Sequence, residues 1–147
     1  MTRKRWTPKT AVTDSLLKFR EKRKWQIALR RYVLEGKWGS ACAPFFGLDT
    51  PHFRKWIELQ FDGEAGWDNF STVWQFDHIV PVAYFDFGDE QDLRLCWNFV
   101  NIRVEKTNQH KGSRIDILGA KAYFKRLYER TSYNICRDMV LKIEQIE

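Results

Sequence analysis

Trp74-Gln75-Phe76-Asp77-His78-Ile79-Val80-Pro81 and Cys96-Trp97-Asn98-Phe99-Val100-Asn101-Ile102-Arg103, the second running on to Asn108-Gln109-His110-Lys111-Gly112, decide how this chain reads. Aromatic and β-branched residues dominate the first stretch, so Val73 to Val82 is expected to form a strand ending near Pro81. Leu95 to Val104 is a second strand-like run. The polar stretch from Glu105 to His110 is expected as a short helix ending near Gly112. Strand, loop, strand and short helix then frame Asp77, His78, Asn101 and one residue at Asn108 or His110. Neighbouring side chains of a strand face opposite ways, so Asp77 and His78 serve one site only at a strand end or bend. Pro81 is compatible with one.

Hydrolysis of a phosphodiester needs a base to activate water, a Lewis acid to stabilise charge, and precise placement of both. His78 suits the first task, because the ordinary imidazole pKa lies near working pH. Asp77 is a hard anionic oxygen donor of the kind magnesium or manganese prefers. Taken without a family, Asp77 and His78 read equally well as a structural pair, and Asn98 or Asn101 as a turn residue.

The order of these parts resembles the HNH endonucleases, and among them small phage and prophage proteins. The likeness extends to Gly47-Leu48 ahead of a helix ending Ile57-Glu58-Leu59-Gln60-Phe61, and to Trp67-Asp68-Asn69-Phe70. Gly47 to Gly112 is a little under half the chain. The resemblance implies a ββα-metal core, with His78 as general base and Asp77 as metal ligand. Asn101 would hold the base and the two strands in position. The helix ligand is His110 if the alignment has no gap, since it lies nine residues after Asn101. Asn108 matches an Asn-x-x-Lys-Gly pattern instead, if two residues are missing before it. Residues two apart on a helix point roughly 200° from each other, so only one of them faces the metal. Many HNH proteins carry paired cysteines for a structural zinc. Cys42, Cys96 and Cys136 are odd in number and far apart, so no structural zinc is expected and each reads as core filler.

Charge is concentrated at the start. Residues 1–37 hold twelve Lys or Arg against three acids, a balance of +9. The whole chain is +6, so the remaining residues sum to −3. Such a cluster suits phosphate contacts, and equally suits a solvated helix surface. Arg3, Lys4 and Arg5 on a basic arm, Arg23 and Lys24 on the first helix, and Arg103, Lys111 and Arg114 near the motif are the candidate nucleic-acid contacts. Lys106 lies among them. Trp6 and Trp25 are aromatic residues in the basic region that a base can stack on, although most tryptophans read as core.

Around the motif the expected elements are helical. One helix runs from a cap at Thr13 or Asp14 to Glu35, stopped by Gly36, with Leu17, Ile27, Leu29, Tyr32 and Val33 as its apolar residues. Another starts with Thr50 as cap and Pro51 in its first position. Residues 84 to 92 read as a loop. Two helices close the chain, from Ile115 to Arg130 and around Cys136 to Ile146. His52 reads as a surface residue.

The expectation is therefore an α+β fold: a ββα-metal core embedded in helices at 41–147, preceded by a basic arm and helix at 1–40. The expected activity is magnesium- or manganese-dependent cleavage of DNA, nicking as a monomer and cutting both strands as a homodimer. Two readings compete: a non-catalytic nucleic-acid-binding module on the same fold, and an RNA-directed nuclease. No run of eighteen apolar residues and no apolar leader is present, so a cytoplasmic protein without membrane partners is expected, in the bacterial host if phage-encoded.

Overall fold

The computed structural model describes residues 13–109 and 115–147. The fold is mixed, mostly helical, with one small antiparallel sheet of two strands. Helix α1 (Asp14–Glu35) begins where the Thr13 hydroxyl accepts the Leu16 N–H at 3.1 Å. It ends where Gly36 turns left-handed at φ 68° and donates to the Arg31 carbonyl. Both boundaries follow from the sequence. Which residues pack does not. Trp25, Ala28, Leu29, Tyr32 and Val33 form the buried stripe at helical spacing, all in the second half of the helix. Leu17 and Ile27, two of its apolar residues, are exposed, and so is the charged stretch 20–24. Trp25 takes the core reading over that of a base-stacking ring. It is 5% exposed and stacks on Trp97 at 5.5 Å, so it is a core ring with no face left for a base.

Helix α2 (Thr50–Glu58) is capped by Asp49, one residue before the expected Thr50. The Asp49 carboxylate accepts the His52 N–H at 2.9 Å and suits the positive helix end better than a hydroxyl does. The Thr50 hydroxyl is turned away and donates to the Tyr32 carbonyl. His52 is a surface residue as expected, its Nδ1 lying 2.6 Å from Asp49. Phe53 and Ile57 bury the inner face of α2 against Phe46 and Tyr32.

Strand β1 (Trp74–His78) pairs with β2 (Ile102–Lys106) in the register Trp74↔Lys106, Asp77↔Arg103, His78↔Ile102. The expected first strand was longer. It stops at His78, and Val82–Tyr84 is a single helical turn. The second correction is larger. Helix α3 (Glu90–Trp97) occupies what read as the end of a loop and the start of a strand. Its buried residues Leu95, Cys96 and Trp97 are consecutive, and a helix of eight residues is too short to display a 3.6-residue period. Asn98 then caps a turn at Phe99–Asn101, as expected for a structural residue, and donates to the Tyr133 hydroxyl at 2.8 Å. Gly47, at φ +83°, sits against this turn, where a Cβ would lie 2.6 Å from Asn98 Nδ2.

A two-stranded sheet leaves open edges, and side chains cover one here. Trp56 Nε1 donates to the Ile102 carbonyl at 3.0 Å, and Gln60 Oε1 accepts the Val104 N–H at 2.9 Å. Helix α2 thereby closes the outer edge of β2. Helices α4 (Ile117–Thr131) and α5 (Asn134–Ile146) form a hairpin through Ser132, which is left-handed at φ 55°. Ala120 and Phe124 face Cys136, Met139 and Ile143 in the core. All three cysteines are buried free thiols. No helix among the described residues is long and apolar enough to cross a membrane.

One ion pair ties α5 to α3. Lys142 Nζ lies 3.0 Å from Asp92 Oδ2, with both side chains 15% exposed or less. The same oxygen accepts the Asp86 N–H at 2.7 Å. Removing one partner leaves the other charge without its counter-ion in a largely dehydrated place. Lys142→Met should therefore lower the free energy of unfolding by about 2–4 kcal/mol, read by urea denaturation. Pairing it with Asp92→Asn should recover part of the loss. A drop below about 1 kcal/mol, the scale of a surface pair, would show that the pair is solvated.

Candidate functional site

Asp77 and His78 lie at the strand end that their chemistry requires. Asp77 is half-buried, and its Oδ2 accepts from both Arg103 Nε and Nη2 at 2.8 Å. Arg103 is directly opposite in the register, so the pair spans the sheet. Burial pushes the Asp77 carboxyl above its usual pKa, and the Arg103 guanidinium pulls against that without cancelling it. Arg103, expected as a phosphate contact, is thus engaged with the carboxylate.

The His78 ring meets Trp97 edge-on at 4.5 Å, with the planes at 89°. The residue as a whole is partly buried, and its Nε2 is enclosed and has no hydrogen-bond partner. Burial lowers its pKa to about 3, and the nearby Lys22 cation pushes in the same direction. The imidazole is therefore neutral at physiological pH. Trp97 Nε1 is a second enclosed atom without a partner. Left unpaired, a buried polar atom costs about 1–3 kcal/mol.

Asn101 is fully buried and acts as a clip. Its Oδ1 accepts the Val80 N–H at 2.9 Å. Its Nδ2 donates to the Val80 carbonyl at 3.2 Å and to the Cys96 carbonyl at 3.0 Å. The Asn101 carbonyl accepts the Ile79 N–H at 2.9 Å, extending the ladder past the strand end. One side chain joins the segment after β1, the end of α3 and the start of β2, and so sets where His78 stands.

The remaining candidates divide. Asn108 is exposed in the turn Thr107–Gln109, which Thr107 fastens to the Val73 and Thr72 carbonyls. That is the end of the sheet opposite His78. The register places Asn108 five residues past the partner of Asp77, roughly 10 Å or more along the strand direction. His110, Lys111 and Arg114 lie outside the described residues, as do Arg3, Lys4, Arg5 and Trp6. No group of three or more His, Cys, Asp or Glu comes together among the described residues. Arg23 and Lys24 are exposed on α1, the latter 3.9 Å from Glu21. Lys106 is held by Asp62 at 2.6 Å and Glu64 at 3.6 Å, and lowers the Asp62 pKa to about 2. It is a surface ion pair and not a free cation.

The structure also brings up residues to which the motif assigned no role. Lys22 comes from α1; Trp97, within the motif and read as core, stands beside His78 on the unexpected α3. Tyr123 on α4 lies near Arg103, with its pKa raised to about 12 by burial. Together with Trp56, Ile79, Arg103 and Asp116 it lines a cleft of about 630 Å³ beside the Asp77–Arg103 pair. No local sequence signal marks Lys22 or Tyr123, because their relevance depends on how distant helices dock.

Comparison with known proteins places the chain beside viral sequences. It is 33% identical over 87 residues to the uncharacterized protein L426 of Acanthamoeba polyphaga mimivirus, covering 59% of this chain and 38% of that protein. It is 34% identical over 88 residues to the uncharacterized protein L246 of the same virus, covering 57% of this chain and 39% of that protein. The chain thus spans under two fifths of the length of these relatives. No family model and no solved structure matches it.

Proposed function

We propose that this chain is a metal-dependent endonuclease of the HNH type that hydrolyses DNA phosphodiester bonds. The observation that carries the reading is the neutral imidazole of His78 at the end of β1, its Nε2 without a partner, held in place by the buried Asn101 clip. A structural histidine would be expected to satisfy that nitrogen.

His78 takes the proton from water as the water oxygen attacks phosphorus and the bond to the 3′ oxygen breaks. A pKa of about 3 makes the free imidazole a weak base. An anionic phosphate beside it favours the protonated form and raises that value, so basicity is gained when substrate arrives. Asp77 offers the carboxylate oxygen that a hard divalent cation takes, although Arg103 occupies its Oδ2. Asp77, with His110, would hold magnesium or manganese, which would supply Lewis-acid stabilisation of the phosphate and of the leaving oxygen; Asn108, at the far end of the sheet, is out of reach of Asp77. Arg103 must then yield Asp77 Oδ2 and becomes available to a phosphate oxygen.

The Asp77–Arg103 pair also favours a second reading, a nucleic-acid-binding module in which that carboxylate is purely structural. Plasmid nicking with magnesium decides between them. His78→Ala should lower the rate by about 10²-fold or more, the scale of general-base catalysis. Equal nicking by both proteins would sink the role of His78. Absence of cleavage of DNA and RNA under every divalent metal would favour the binding module. Cleavage of RNA alone would redirect the substrate. In the same assay His110→Ala should lose most of the activity and Asn108→Ala less. The reverse order would assign the metal to Asn108.

A further inference from the structure

The first half of α1 leaves large apolar side chains in solvent. Leu17 is 44% exposed and Phe19 is 66% exposed. They face the segment 82–88, which follows β1 directly and presents Tyr84 at 37% exposure. Between the two lies a groove of about 800 Å³, toward the upper end of the range for ligand clefts. Phe85 and Phe87 form part of its wall. Phe87 meets Trp97 at 6.2 Å, and Trp97 meets His78 at 4.5 Å, so two aromatic rings separate the groove from the candidate base. Lys22 lines the groove and is the cation that acts on His78.

Charge decides what fits. Two lysines and two acids line the groove. The Asp86 carboxylate is turned onto its own loop and accepts the Gly88 N–H at 2.9 Å, and Glu21 is answered by Lys24. Among the described residues Lys18 and Lys22 have no recorded ion pair, so the groove offers apolar walls and two cations on one rim. Arg23 is exposed on the same helix, outside the groove lining. Aromatic faces beside cations match a base stacked on a ring with its phosphate on a lysine. A paired duplex presents only base edges, whereas an unpaired strand presents the base faces that such walls need.

We infer that the groove between α1 and the 82–88 segment is a subsite for unpaired nucleotides, with bases against Phe19 and Tyr84 and phosphates on Lys18 and Lys22. The inference rests on the endonuclease reading and names its substrate as nucleic acid with a single-stranded portion next to the cut. The groove then delivers the strand toward His78.

The test is metal-free fluorescence anisotropy with a labelled 12-nucleotide single strand and a 12-base-pair duplex. The wild-type protein should bind the single strand more tightly. Phe19→Ala/Tyr84→Ala should weaken single-strand binding tenfold or more and duplex binding less than threefold. Both side chains are exposed, so the thermal midpoint should hold. Lys18→Gln/Lys22→Gln should lessen the salt dependence of single-strand binding. Equal effects on strand and duplex, or none, would overturn the subsite. So would a wild-type dimer, seen by sedimentation, that Phe19→Ala converts to monomer, since the groove would then hold a second copy of the chain. His78→Ala separates the two readings. A protein that cuts nothing yet shows the single-strand preference keeps the subsite and loses the enzyme. A protein that cuts plasmid, with binding unaffected by Phe19→Ala/Tyr84→Ala, keeps the enzyme and loses the subsite.

Discussion

Asn101→Ala should lower the free energy of unfolding by about 3–5 kcal/mol, among the largest effects of any single substitution in this chain. The side chain is fully buried and makes three hydrogen bonds. Truncation leaves the Val80 N–H, the Val80 carbonyl and the Cys96 carbonyl without their side-chain partner. Each buried group so orphaned costs about 1–3 kcal/mol, less whatever water or relaxation recovers. Asn101→Asp should be comparably harmful, because a carboxylate retains the acceptor for Val80 and loses both donors. Urea denaturation with both variants measures this. A loss below about 1 kcal/mol would mean that the three segments are held by packing alone. The functional consequence is separable: a variant that remains folded under mild conditions should still lose cleavage, since the clip sets the position of His78.

The second large effect concerns acid. His78 has a folded-state pKa of about 3 against an ordinary value of 6.5, because burial disfavours the charged ring. The unfolded chain therefore binds this proton first. The stability associated with a neutral His78 is complete above pH 6.5 and is lost as the pH falls through the window from 6.5 toward 3. At ~1.4 kcal/mol per pH unit, and reduced for relaxation of the site and water entry, the loss is about 2–4 kcal/mol. Three carboxylates act at the lower end of that window, one of them Asp49, which the hydrogen bonds from His52 hold below its usual range and which therefore adds to the loss. Asp77, raised by burial, takes up a proton more readily when folded and so offsets part of the loss. Asp62, lowered to about 2 by Lys106, adds to it below pH 4. The upper part of the window, from pH 6.5 to about 5, thus isolates the histidine. Metal-free wild-type protein and His78→Phe, unfolded in urea across that range, should differ in slope, with the variant nearly flat. Parallel slopes would mean that solvent or a partner satisfies the ring when folded.

Both predictions rest on residues that the sequence singled out, but for reasons it only half supplied. Asp77, His78 and Asn101 stood out by type and spacing. The role of Asn101 in holding the strands was legible only through the family resemblance; by itself it read as a turn residue within the second strand-like run. The environment of His78 was not legible. Its low pKa comes from Trp97 and Lys22, on helices nineteen and fifty-six residues away in the chain. Helix α3 was missed for a related reason. Leu95-Cys96-Trp97 read as the opening of a strand, and only burial on several sides at once makes three consecutive apolar residues suit a two-turn helix.

The sequence by itself determined the local features: where α1 starts and stops, the glycine and asparagine turns, the strand at Asp77-His78, and the order of the polar positions. These depend on backbone sterics and on hydrogen bonds within a few residues, so a short window contains their causes. Only the tertiary structure decided which rings Trp25 packs against, that Arg103 is spent on Asp77, that Asn108 lies at the far end of the sheet from His78, and that Leu17 and Phe19 of α1 face the 82–88 segment. Each of those depends on which surfaces meet, and docking sums many weak contacts between distant residues that no single window of sequence contains.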